Sequence, residues 1–222
     1  MLLPKEKTKP SLEFSKMNLA LYGKPGVGKS TFCASYPKGL FLNVENGLKA
    51  LEVYEVKIKI WENFLAVKEE LKKPNDFDTI IIDTADLFYS LCDAYVCRLY
   101  KVQHTSDGQF GKLYSICRNE FLRQMIDLNS MGKGIVFISH SANVEIKTPT
   151  ETWTMLDTSM SKQAKDVIHG FVDFIFCLYI NSEGKRVIRC RPTKNINAKD
   201  RTNKLGEVME LDYSKICEKI SC

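Results

Sequence analysis

The chain lacks the marks of several common protein classes. Its 222 residues include 8 cysteines but no Cys-x-x-Cys pair and no histidine spaced to complete one, which argues against a zinc site. The opening Met1-Leu2-Leu3-Pro4-Lys5-Glu6-Lys7 has no apolar core long enough for a signal peptide. Cys33, Cys92, Cys97, Cys117, Cys177, Cys190, Cys217 and Cys222 therefore read as reduced cytosolic thiols, mostly core filler. The most apolar run, 171–180, is too short to cross a bilayer and contains Asp173. The expectation is a soluble, cytoplasmic protein with no membrane partner. Pro (7) and Gly (12) are too few for a largely disordered chain, and no internal repeat or low-complexity segment is found. Positive charge is only mildly in excess, 32 Lys+Arg against 27 Asp+Glu, which permits a polyanionic partner without requiring one.

What is present is organised around one stretch, Asn18-Leu19-Ala20-Leu21-Tyr22-Gly23-Lys24-Pro25-Gly26-Val27-Gly28-Lys29-Ser30-Thr31. An apolar strand runs into Gly-x-x-x-x-Gly-Lys-Ser and then a helix start. Glycines at 23, 26 and 28 let successive backbone N–H groups turn inward and cradle a di- or triphosphate. Lys29 would place its ammonium on the β- and γ-phosphates, and the Ser30 hydroxyl would ligate Mg²⁺. Phosphate binding is the direct reading of residues 23–31.

The length suits one α/β domain with small appendages. Residues 1–16 are Lys-rich and aperiodic and read as a loose arm. The first helix continues to 36, where Pro37-Lys38-Gly39 stops it. Apolar runs at 39–44, 77–83 and 135–140 have the pattern of central parallel strands covered on both faces, and 56–60 that of a strand exposed on one face. Helices are expected over 61–73, 85–100 and 112–131, with a mobile polar loop at 103–111. Strands alternating with helices argue for a parallel sheet with right-handed crossovers. Beyond 140 the pattern changes: a hairpin at 144–147 and 152–156, a helix at 161–170, paired strands at 171–180 and 186–191, a basic loop at 195–206 and a short helix at 213–220.

Several residues carry candidate chemistry. Asp83 ends an apolar strand downstream of the phosphate loop, where a carboxylate holds Mg²⁺ opposite Ser30. Asp86 reads as a first-turn helix acid. Glu45 ends another core strand, either as a water-polarising base at the γ-phosphate or as a surface acid before Asn46-Gly47. His140 is either a γ-phosphate sensor or a plain strand end. Lys199-Asp200-Arg201-Thr202-Asn203-Lys204 is open to three readings: a solvated surface, a cation reaching a neighbouring subunit's site, or a contact to a nucleic-acid backbone.

The order of phosphate loop, strand plus Glu45, strand plus Asp83, strand ending Phe137-Ile138-Ser139-His140, then a late Lys-x-Arg loop resembles the RecA-type ATPase core. Chain size, the form Gly-Lys-Pro-Gly-Val-Gly-Lys-Ser and the Ile-Ser-His ending are most similar to a phage family of small, core-only RecA-like ATPases, an AAA-type group some of whose members are single-strand annealing proteins. The resemblance spans about residues 17–212. It implies an α/β RecA-like P-loop core, a mostly parallel sheet flanked by helices with a C-terminal antiparallel extension, as one domain over 17–222. It implies ATP and Mg²⁺ as ligands, Glu45 as the residue that activates water, and His140 as the sensor. Lys199 and Arg201 would act across the interface of a homo-oligomeric ring or filament. It further implies single-stranded DNA as a partner, with a single-strand-binding protein as a second candidate. By position, 141–159 is the candidate DNA loop, with Trp153 either stacking on a base or serving the core. The leading functional expectation is a Mg-ATP-dependent protein acting on single-stranded DNA in phage recombination or repair. A non-catalytic ATP-binding adaptor or loader, and a small P-loop kinase, are the alternatives.

Overall fold

A computed structural model describes residues 6–7, 12–108 and 111–221. Six strands run parallel: β1 (Leu19–Gly23), β2 (Gly39–Asn43), β3 (Tyr54–Lys57), β4 (Thr79–Asp83), the first half of β5 (Gly134–Lys147) and β7 (Phe174–Ile180). Their spatial order is β7-β1-β5-β4-β2-β3. Every residue of β1, β2 and β4 is buried, because successive side chains point to opposite faces and both faces are covered. Ala20, Tyr22, Leu40, Leu42, Ile80, Ile82, Ile135 and Phe137 enter one core, whereas Leu19, Leu21, Phe41, Ile81, Val136 and Ile138 enter the other.

The first core is closed by α2 (Trp61–Leu71), α3 (Ala85–Tyr100), α4 (Lys112–Asn129) and α5 (Lys162–Phe171). Trp61, Phe64, Phe88 and Phe121 meet there with ring centroids 4.7 to 6.1 Å apart. The second core lies under α1 (Lys29–Cys33) and α6 (Tyr213–Ser221), through Phe32, Cys33, Ile216 and Ile220. The expected α/β architecture, with antiparallel strands toward the C-terminus, is what the chain adopts: β8 (Arg186–Arg189) pairs with β7, and β10 (Val208–Glu210) pairs with β8.

Local expectations are corrected at several points, among them the strand expected at 56–60, which is β3 at Tyr54–Lys57. The first helix stops at Cys33 rather than 36, because Ser35 and Tyr36 donate to carbonyls three residues back and tighten the chain ahead of Pro37. The stretch 195–206 is not wholly loop, since β9 (Lys199–Asp200) pairs with the start of β7. The strand expected to end at His140 and the hairpin strand expected from 144 are one element. After His140, β5 leaves the sheet and residues 141–147 pair antiparallel with β6 (Thr152–Thr158) as a projecting arm. Finally, the end of the expected loose arm is core: Phe14 is 2% exposed, with ring centroids 5.6 Å from Tyr36, Phe174 and Tyr213. The remainder of that arm at 1–5 and 8–11, residues 109–110 of the expected mobile loop, and Cys222 lie outside the described residues; Thr105–Asp107 of the same loop form a 3₁₀ turn. Among the described residues no helix is long and apolar enough to cross a membrane.

Candidate nucleotide site at the strand ends

Parallel pairing brings the carboxyl ends of β1, β2, β4 and the sheet half of β5 to one edge. Gly23 registers with His140, Asn43 with Asp83, and Asp83 with Ile138. The loop after β1, Glu45 two residues beyond β2, Asp83 and His140 therefore line one cleft of about 360 Å³. The bringing together is a property of register, and none of these residues is near another in sequence.

The phosphate loop supplies most of one wall. Pro25, Gly26, Gly28, Ser30 and Thr31 face the cleft, whereas the Val27 side chain turns away into the second core. Lys29 also lines the cleft but is only 7% exposed, and its ammonium donates to the carbonyls of Gly23 at 2.9 Å and Lys24 at 3.1 Å. Burial pulls its pKa below the ordinary lysine value, against the carboxylates of Asp83, Glu45 and Asp86. Ser30 donates to Asp83 Oδ2 at 2.7 Å. Asp83 is 4% exposed, and burial pushes its carboxyl above the usual range, with the Ser30 bond and Lys29 charge pulling the other way. A polyphosphate beside Lys29 and a divalent cation beside Asp83 would favour the charged form of each.

Glu45 Oε1 lies 3.4 Å from His140 Nε2, so the two residues expected to act on water and on the γ-phosphate are in contact. Three buried polar atoms in this region have no hydrogen-bond partner among the described residues: Thr84 Oγ1, Asp86 Oδ2 and His140 Nδ1. An unsatisfied buried polar atom costs about 1–3 kcal/mol, and Thr84 and His140 line the cleft, where a bound group could supply the missing partner. The donors fit magnesium, which takes one or two carboxylates together with substrate phosphates and water. Ser30 and Asp83 would hold it, and the backbone of 24–31 with Lys29 would hold the phosphates.

Other expected residues are elsewhere. Lys199 and Arg201 flank Asp200 on or beside β9, which pairs with Phe174 and Ile175. Those register with Leu19 and Ala20, about 13 Å along β1 from the cleft. Lys199 donates to the carbonyls of Val172 at 2.7 Å and His169 at 3.3 Å, and Arg201 pairs with Asp173 at 2.8 Å. The structure does not bring either to this chain's own cleft. Trp153 is half-buried on β6, its indole N–H donates to Lys194 O at 2.7 Å, and the Lys194 ammonium sits 5.4 Å above its ring. Asp86 lies in the first turn of α3 as expected, and there accepts from Ser139 at 3.3 Å and Ser159 at 2.6 Å.

Four cleft residues escape the sequence reading, Ala50 and Leu51 beyond Glu45 being two of them. Thr84 follows Asp83, and Arg186 comes from β8. Thr84 has the signal of adjacency to a metal-binding carboxylate. Arg186 has none, since only the antiparallel return of β8 along β7 brings it to the phosphate loop.

The fold and the cleft define a P-loop nucleotide-binding protein. Residues 15–202 match the family described as AAA domain, and the chain belongs to that family. It is also 30% identical over 131 residues to a Bacillus subtilis (strain 168) protein, "SPbeta prophage-derived uncharacterized protein YorG", covering 56% of this chain. The match spans 41% of that relative's length.

Proposed function

We propose that the protein is a RecA-like ATPase of phage origin that hydrolyses Mg-ATP while acting on single-stranded DNA in recombination or repair. The observation that carries the hydrolytic reading is the Glu45–His140 contact at 3.4 Å, at the mouth of a cleft that also holds Lys29, Ser30 and Asp83. Glu45 is 43% exposed in its side chain, so its carboxylate can reach water and accept a proton from it. His140 shares that carboxylate and sits where β5 leaves the sheet, so loss of contact to a phosphate would be felt at the foot of the arm. Magnesium, once bound, neutralises charge on the phosphoryl group being transferred. The strand order, with β1 between β7 and β5 and β4 next to β5, supports the RecA-like reading.

The DNA reading has three supports: the formal charge of +5, the arm at 141–158 above the cleft edge, and the prophage derivation of the relative. Trp153 contributes to base stacking only if Lys194 leaves its ring. Lys199 and Arg201 enter a homo-oligomer's neighbouring site only if they are drawn from Val172, His169 and Asp173. The test is steady-state ATP hydrolysis with and without single-stranded DNA, for wild type, Lys29→Ala and Glu45→Gln. DNA-stimulated turnover that both substitutions abolish is expected. ATP binding with no turnover and no response to DNA would replace this reading with a non-catalytic adaptor.

A further inference from the structure

Between positions 185 and 204 the chain carries eight cationic side chains, and seven have partners. Lys185 pairs with Glu183, Arg189 with Glu207, Lys194 with Glu151 and Arg201 with Asp173. Arg191, Lys199 and Lys204 donate to backbone carbonyls. The eighth, Arg186, is exposed, and its side chain makes no hydrogen bond or ion pair among the described residues. It is also the one of the eight that lines the nucleotide cleft.

Its placement is specific. A Cβ built on Gly28 would lie 3.4 Å from Arg186 Nη1 and 3.5 Å from its Cδ and Cζ, so the arginine stem and guanidinium lie over the phosphate loop. Gly28 has φ +104°, which a side chain would resist, and Arg186 lies at contact distance from where its Cβ would be. The residue is held at its root by a stiff hairpin. Asn181 Oδ1 accepts from the backbone N–H of Glu183 at 3.0 Å and Lys185 at 2.9 Å, and Arg186 pairs in register with Ile180. The result is an unpaired planar cation on a fixed root, facing a loop built to present N–H groups to phosphate.

We propose that Arg186 binds the phosphate chain of the nucleotide in cis, from beside the loop at Gly28, through paired guanidinium N–H donors. The proposal rests on the nucleotide reading of the cleft. A guanidinium suits this position better than an ammonium, because its two parallel N–H donors match a pair of phosphate oxygens. The cation comes from the same chain, on the β7–β8 hairpin, and is separate from any that Lys199 and Arg201 would bring to a neighbouring subunit.

The test is nucleotide affinity by titration calorimetry with ADP and ATP in magnesium, at two salt concentrations. The proteins are wild type, Arg186→Ala, Arg186→Lys, Lys185→Ala and Lys29→Ala. Arg186→Ala is expected to weaken both nucleotides about 10- to 100-fold and to flatten the salt dependence of Kd. Arg186→Lys restores the salt dependence but only part of the affinity, and Lys185→Ala binds as wild type does. Because Arg186 is exposed, the melting temperature of the nucleotide-free variants stays at the wild-type value. Arg186→Ala within about twofold of wild type in affinity and salt dependence, with wild type binding and Lys29→Ala not, overturns the Arg186 contact alone. Wild type that binds neither nucleotide overturns that contact and the nucleotide reading together.

Discussion

Asp83 is 4% exposed, accepts a hydrogen bond from Ser30 at 2.7 Å, and has its carboxyl raised by burial. The Ser30 bond stabilises the carboxylate by about 1.5–3 kcal/mol, and desolvation of a nearly buried ion costs several kcal/mol. The net upward direction says that the cost, with the repulsion of Glu45 added, exceeds the Ser30 bond and the attraction of Lys29 and His140 together. A folded-state pKa above the unfolded one means that the native protein holds this proton more tightly. Its contribution to stability is present below the unfolded value, about 3.9, and is lost as pH rises through the folded value. At pH 7 the charge is therefore a burden on the nucleotide-free protein. Asp83→Asn keeps the shape and an acceptor for Ser30 while removing that burden. The expected gain is on the order of 1 kcal/mol, or about 2–4 °C in Tm for a chain of this size. The assay is thermal melting in chelator without nucleotide from pH 4 to pH 8, repeated at pH 7 with Mg-ATP. The variant should melt higher than wild type at pH 7, the difference closing toward pH 4. With Mg-ATP the order should reverse, because wild type gains from the ligand and the variant does not. A variant that melts below wild type at pH 7 without nucleotide would refute the reasoning from burial.

Phe14→Ala removes a buried ring packed on Tyr36, Phe174 and Tyr213, and should cost about 3–5 kcal/mol with a fall in Tm of about 6–20 °C by circular dichroism. Two glycines of the phosphate loop should separate in urea denaturation without nucleotide. Gly23→Ala would put a Cβ 2.3 Å from the Leu178 carbonyl oxygen and push β1 from β7, costing about 3 kcal/mol or more. Gly26→Ala meets nothing within 4 Å and suffers only its φ of +76°, about 1–2 kcal/mol.

Much of this fold is legible in the chain because two-sided burial writes a simple pattern. Thr79–Asp83 and Leu19–Gly23 are apolar with few interruptions, and the expected helix over 85–100 coincides with α3. The parts that are not legible depend on partners far away in sequence. Val208–Glu210 and Lys199–Asp200 are too short to show any period and exist because β8 and β7 offer them an edge. Tyr54–Lys57 is displaced from the expected 56–60 because its pairing with Leu40–Asn43 sets its bounds, leaving Ile58 buried beyond the strand. Glu45, Asp83 and His140 are readable as strand ends, so their convergence follows from parallel topology. Arg186 and Phe14 are not, because nothing local distinguishes an arginine facing a phosphate loop from one facing water, or a buried phenylalanine from one in a tail.

The single strand β5 has a mechanical consequence. Its last seven residues, 141–147, project about 23 Å from the sheet edge at roughly 3.3 Å per residue, with His140 at the fulcrum. Their base is braced: Asp157 binds Lys165, Asn197 and the Thr158 N–H, and Leu156 exchanges backbone bonds with Asn195 and Asn197. Farther out, Trp153 donates to Lys194 O and Glu151 pairs with Lys194, so the arm is tied to residues 194–197 along much of its length. A displacement at His140 would therefore load residues 194–197 as well as β5, joining the phosphate edge to a stretch more than fifty residues away in sequence.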